Sequence, residues 1–220
     1  MIMILANVVV EYFIKGGPIM WPILVLLFMA VCVIADRVIW WTRFHRAHQA
    51  ELQEQAREAL GRGEFDQAWG VVAQQADPYL ENLRDGLSHS TTSPLAAMQL
   101  HASNLLEKSE SRLWVLSTVI TLGPLMGLLG TVVGIMDSFN FVGNDQLAVT
   151  KVSGGIAEAL IATAAGLCIA ILCLIPFNFF RKKTSLLRGK LEHWINHCEL
   201  LAGNAKAHGH DWSDFRAPKS

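Results

Sequence analysis

Three stretches of the chain are long, apolar and nearly free of charge, and polar stretches separate them. Residues 18–39, 113–136 and 156–180 are each of the length that crosses a bilayer as a helix, roughly 20 apolar residues. The first opens after Gly16-Gly17, with Pro18 suited to a first helical turn and Pro22 still early enough to be tolerated. It closes at the aromatic pair Trp40-Trp41, which fits a membrane–water interface and sets the span at 18–41. Residues 1–17 form a shorter apolar run broken by Asn7, Glu11 and Lys15. They predict a helix lying in the interface, and the missing basic start argues against a cleaved signal.

Residues 42–112 turn polar and keep a helical period. Leu52, Ala56, Ala59 and Leu60 recur among Glu51, Glu54, Arg57 and Glu58, which predicts a helix over 43–60 ended by Gly61 and Gly63. Phe65, Ala68, Trp69 and Val72 predict a second, short helix over 64–75, and Asp77-Pro78 starts a third that reaches about Leu87. Ser88 to Ser93 is a loop by composition. Ser93-Pro94 then opens a helix with no stop signal before Gly123-Pro124. The sequence therefore predicts one helix rising from the polar region straight into the second span, on the order of 60 Å long.

That second span carries Gly123, Pro124, Gly127, Gly130 and Gly134. A helix that only anchors has no use for them, because glycine and proline weaken helices. Small residues let another backbone approach, and Gly130 to Gly134 is a GxxxG pair. Pro124 removes a backbone hydrogen bond and predicts a bend, and Thr131, seven residues on, shares its face. Two readings stay open: a packed, pore-lining helix presenting one hydroxyl at depth, or a plain helix–helix contact with Thr131 bonded to its own backbone.

A weakly acidic connection over 137–155 leads to the third span, 156–180. A helical pattern continues over 181–203 through Leu187, Leu191, Trp194, Ile195 and Cys198, with Gly203 as its end and 204–220 as a disordered tail. Charge adds orientation. Arg37, Arg43 and Arg46 follow the first span, and Arg181, Lys182, Lys183, Arg188 and Lys190 follow the third. Both basic clusters are satisfied by three spans with the N-terminus outside and the C-terminus in the cytoplasm.

Composition agrees: 52% of the 220 residues are hydrophobic and the mean hydropathy is +0.33. The net charge of −1 gives no reason to expect a nucleic-acid partner. Cys32, Cys168, Cys173 and Cys198 show no metal-type spacing and read as packing residues. His193 and His197, or His208 and His210, lack the further ligands a metal site needs.

Glu158 is the one charge in a run that is otherwise apolar from Ile156 to Phe180. An ionisable group inside a span marks a functional site by default; the rival reading is a wet glutamate at the outer interface. Ala159, Thr163, Gly166, Ala170 and Cys173 form a small-residue stripe on the same helix. Thr131 lies about 27 Å beyond Leu113, and Thr163 about 26 Å from Phe180, so the two hydroxyls are expected at one depth. No nucleophile–base pair, phosphate loop or acidic cluster supports an enzyme, and no cofactor is implied.

Residues Gly127-Leu-Leu-Gly-Thr-Val-Val-Gly-Ile-Met-Asp-Ser-Phe139, Gly155-Ile-Ala-Glu-Ala-Leu-Ile-Ala-Thr-Ala-Ala-Gly166 and Gly16-Gly-Pro-Ile-Met-Trp-Pro-Ile-Leu24 resemble the ExbB/TolQ branch of the MotA/TolQ/ExbB proton-channel family. The resemblance implies an all-α integral membrane protein with long helices extending into a cytoplasmic helical domain, pentameric around a central pore. It implies an ExbD/TolR-like single-span dimer in that pore, a TonB- or TolA-like transducer beyond it, and phospholipid around the assembly in the inner membrane. The family's functional threonines fall on Thr131 and Thr163, its glutamate on Glu158 and its bend proline on Pro124; Gly127, Gly130, Gly134 and Gly166 fall to packing. Val133 departs from the tryptophan that many members carry there. Tol-Pal-type or gliding motors, and a scaffold that moves no ions, are the alternatives.

Overall fold

The computed structural model describes residues 10–139 and 148–217, the side chains of 148–151 excepted. Asn7 and most of the acidic connection, from Asn140 through Asp145 with the side chain of Lys151, lie outside the described residues. Among the described residues these helices follow one another: α1 (Met20–Ala47), α2 (Ala50–Gly61), α3 (Phe65–Val72), α4 (Pro78–Ser88), α5 (Pro94–Glu110), α6 (Leu113–Phe139) and α7 (Ala148–Ala207). Residues 10–15 are helical ahead of α1, and a short 3-10 turn spans Trp212–Asp214. The chain divides into two compact units, one of Met1–Asp36 with Arg112–Phe180 and one of Arg37–Ser111 with Arg181–Ser220.

The first unit holds the three apolar stretches, each long and apolar enough to cross a membrane. Only 22 to 28% of the most apolar window in each helix is buried within the chain. On the remaining faces Phe28, Leu125, Leu128, Leu160 and Ile175 are each more than half exposed among the described residues, which suits lipid or other subunits. What holds α6 to α7 is closeness of backbone. A Cβ at Gly127 would stand 2.8 Å from the Thr163 Cα, and one at Gly123 would stand 2.9 Å from the Gly166 carbonyl oxygen. At such distances dispersion and Cα–H···O contacts replace the hydrophobic drive that lipid cannot supply. Gly134 meets Ala159, Ser138 covers Gly155, and Gly130 lies between Ile19 and Ala162. The GxxxG pair therefore packs within this one chain.

The second unit is built around Leu60, Val72, Leu80, Leu83, Leu87, Met98, Leu191 and Cys198, all at 3% exposure or less. Asp77 organises its polar interior. One carboxylate oxygen caps α4, accepting from the Tyr79 and Leu80 amides at 2.8 and 3.3 Å. The Gln49 amide and Gln53 Nε2 donate to the other oxygen at 2.6 and 2.9 Å. A buried carboxylate with this many donors is satisfied without a cation. Asn82 Nδ2 ties α4 to α5 by donating to the Met98 carbonyl at 2.6 Å.

Three expectations need correction. The continuous helix from Pro94 into the second span is broken at Ser111-Arg112: Ser111 has ψ 135 and Arg112 φ 64, outside helical geometry. The break is supported chemically, because Arg37 donates to the Lys108 and Ser109 carbonyls at 2.8 and 3.4 Å and so caps the last turn of α5. The Arg112 guanidinium meets Asp36 at 2.5 Å. Second, α1 runs on to Ala47, so the first polar helix starts at Ala50 instead of residue 43. Third, Gly203 does not stop α7, which continues to Ala207, and residues 208–217 of the expected tail 204–220 are ordered on the second unit, 218–220 lying outside the described residues. Phe215 is 6% exposed, its carbonyl accepts from Ser90 Oγ at 2.7 Å, and its ring lies 5.9 Å from Trp69. One glycine costs a helix only about 1 kcal/mol, which the packing of Ala202 and Ala205 offsets.

Candidate functional site

Thr163 is half-buried on α7, and its hydroxyl donates across to the Gly127 carbonyl of α6 at 2.6 Å. The missing side chain at Gly127 lets α7 come this near. In an α-helix the carbonyl of residue 127 is also the acceptor for the amide of residue 131. Thr163 and Thr131 therefore converge on one oxygen, the first through its side chain and the second through its backbone. The Thr131 hydroxyl donates to the Leu128 carbonyl of its own helix at 2.7 Å. Both hydroxyl protons are thus held by backbone, and both oxygens keep lone pairs able to accept from water or a protonated carboxyl group. Thr131 stands four residues past Gly127, about 6 Å along α6, so the two threonines lie within about one helical turn.

Glu158 is elsewhere on α7. Five residues before Thr163, it lies about 140° round the helix and about 7.5 Å along it. Its carboxylate rests against Gly17, which takes φ +70; a Cβ there would overlap Glu158 Oε1. At Gly16 a Cβ would crowd Met20 Sδ at 2.7 Å and Ile161 Cγ2 at 3.2 Å. Two consecutive glycines therefore seat a turn on α7 and leave room for a carboxylate. Within one chain the structure brings Thr163 to the turn that carries Thr131, and does not bring Glu158 to either. Pro124 lies within α6, which continues through it. Gly17 was missed as a site residue; the Gly16-Gly17 pair reads in the sequence as a helix breaker and as part of a family motif, with nothing to link it to Glu158.

Three helices of membrane-spanning length, joined by small residues and carrying a carboxylate and two hydroxyls, define a multi-pass integral membrane protein with polar groups inside its spans. The chain belongs to the MotA/TolQ/ExbB proton channel family, whose model matches residues 74–193, a range that contains Thr131, Glu158 and Thr163. It is similar to a putative biopolymer transport protein ExbB-like 1 of Synechocystis sp., at 30% identity over 181 residues, which are 76% of this chain and 68% of that protein. It is 45% identical over 95 residues to the Tol-Pal system protein TolQ of Pseudomonas aeruginosa, covering 43% of this chain and 41% of that one. It is 43% identical over 84 residues to the biopolymer transport protein ExbB of Aquifex aeolicus, covering 38% and 55%. The chain thus spans about half the length of the last two relatives.

Proposed function

We propose that this chain is the channel subunit of a proton-driven motor in the bacterial inner membrane, of the ExbB/TolQ kind. Its spans run with the N-terminus outside and the C-terminus in the cytoplasm, and five copies surround a pore. A dimer of an ExbD/TolR-like single-span protein occupies the pore and offers a titrating carboxyl group at the level of Thr131 and Thr163. The threonines hydrate that level and accept from the carboxyl group when it is protonated; Glu158, seated on Gly17, tunes the field or relays protons. Inward flow drives rotation that a TonB- or TolA-like protein carries to an outer-membrane process. The observation that carries this reading is the shared Gly127 carbonyl, which fixes two hydroxyls from separate spans within one turn. Relatives of both the ExbB and the TolQ name match, which supports TonB-dependent transport or Tol-Pal envelope maintenance as the process energised, with a gliding motor as the further alternative.

The test is proton uptake by vesicles holding this chain with and without the single-span partner encoded beside it. The expected result is flux only with the partner, since neither threonine titrates. Equal flux without it would refute the division of labour. No flux in either case, with assembly intact, would favour the scaffold reading.

A further inference from the structure

Within the second unit α7 buries one side, through Leu187, Leu191, Trp194 and Cys198. The opposite side carries Leu186, Gly189, His193, Asn196, Leu200 and Gly203, all exposed. Their spacing alternates strictly between three and four residues, the repeat by which a helix keeps one seam turned towards a second helix. None of them is a carboxylate, a lysine or an arginine, although a helix side that meets only water normally carries such charges. Leu186 and Leu200 are instead 57% and 69% exposed. A Cβ at Gly189 or Gly203 would meet nothing within 4 Å. Unlike Gly127, these two glycines make no room for the chain's own backbone, yet each costs the helix about 1 kcal/mol.

Charge is displaced to the two edges of this face. Glu192 and Glu199 stand on one edge, Lys190 and His197 on the other. Residues 190 and 192, and again 197 and 199, differ in height by about 3 Å. Arg188 pairs with Glu110 and Lys206 with Asp211, whereas Glu192, Glu199 and Lys190 make no ion pair among the described residues. Two such helices laid side by side in the same direction set the acidic edge of one against the basic edge of the other, at matching height. Antiparallel helices would set acid against acid. The face is therefore complementary to a parallel copy of itself.

We propose that the exposed face of α7 over residues 186–203 is a parallel helix–helix seam with a second copy of this chain. Leu186 and Leu200 fill the seam, and Gly189 and Gly203 let the neighbouring helix approach. The Lys190–His197 edge of one copy faces the Glu192–Glu199 edge of the next. The inference deepens the channel reading and rests on it in one respect: copies inserted in one membrane with one orientation present α7 in parallel. The contact lies outside the apolar stretches and does not involve Thr131, Thr163 or Glu158.

Disulfide cross-linking of the full chain in membranes reads the seam. With Cys32, Cys168 and Cys173 replaced by serine, His197→Cys and Glu199→Cys place one thiol on each edge, too far round the helix from each other to bond within a chain. Oxidation with copper phenanthroline should give a ladder of covalent multimers. Arg62→Cys with Gly70→Cys, exposed positions outside the seam, is the control and should give far fewer. Gly189→Leu should lower the yield about tenfold by overpacking the seam, and should leave the melting temperature unchanged because its own chain leaves that space open. Lys190→Glu should lower the yield about threefold, and Glu192→Lys added to it should restore the yield; this exchange decides the matter should Gly189→Leu fail to fold. A ladder with this variant pattern supports the seam. A yield no higher than the control, or one that neither Gly189→Leu nor the charge exchange alters, overturns it. Native mass spectrometry in detergent separates the two readings: multimers without cross-links overturn the seam and leave the channel ring standing, and a monomer overturns both.

Discussion

Replacing Gly127 by alanine tests the seam without touching either threonine. The added methyl group would stand 2.8 Å from the Thr163 Cα and 3.1 Å from its carbonyl oxygen. Ordinary carbon contacts need about 3.5 Å or more, so α6 and α7 must part by about 0.7 Å. The Thr163 hydroxyl, now 2.6 Å from the Gly127 carbonyl, would then be left at the edge of hydrogen-bond reach. Overpacking costs about 1–3 kcal/mol, and a hydrogen bond within a membrane averages only about 0.6 kcal/mol, so steric strain dominates. The expected outcome is a melting temperature lowered by several degrees in detergent and proton flux reduced about tenfold or more in vesicles with the partner. Gly154→Ala is the control, because nothing lies within 4 Å of a Cβ there. If Gly127→Ala melted and conducted like Gly154→Ala, close backbone approach would not be what positions Thr163.

Gly17→Ala should displace the Glu158 carboxylate and lower flux as Glu158→Gln does, with little further loss in the double variant; additive losses would separate the two residues. Phe215→Ala should cost about 3 kcal/mol of stability, read by thermal unfolding, because it empties a buried site; no change would mean the terminal segment is not docked. Cys198 is fully buried and burial pushes its thiol up to about 12, so with the other three cysteines replaced by serine the folded chain should resist iodoacetamide until denatured. Burial, and then the nearby Asp77 charge, push the Tyr79 phenol up to about 12. Its folded value exceeds the unfolded one of about 10, so the stability that its neutral form contributes is complete below pH 10 and is lost as pH rises towards 12. Absorbance at 295 nm checks this, and Tyr79→Phe should remove the late step.

How much of this was legible depended on the kind of signal. The apolar stretches could be read because length and composition alone decide whether a helix suits lipid. Glycines 123, 127 and 166 announced close packing, but a stripe of small residues does not say which backbone meets it. The break at Ser111-Arg112 left no trace because serine and arginine are ordinary helix residues; it depends on Arg37, more than seventy positions away, reaching the last carbonyls of α5. Trp212 and Phe215, aromatic groups in a polar tail, were the overlooked sign that the terminus packs. Glu158 was recognised as an oddity, yet its partner could not be, since Gly17 offers an absence that only three-dimensional proximity reveals.

Proton flux through the reconstituted chain with its partner, compared among Thr163→Val, Thr163→Ser, Thr131→Val and Thr131→Ser, bears most directly on the pore reading. Valine keeps the volume of threonine and removes the oxygen, whereas serine keeps the oxygen. The account predicts that both valine variants lose most of the flux while assembling normally, and that both serine variants retain it. Full flux in the two valine variants would contradict it.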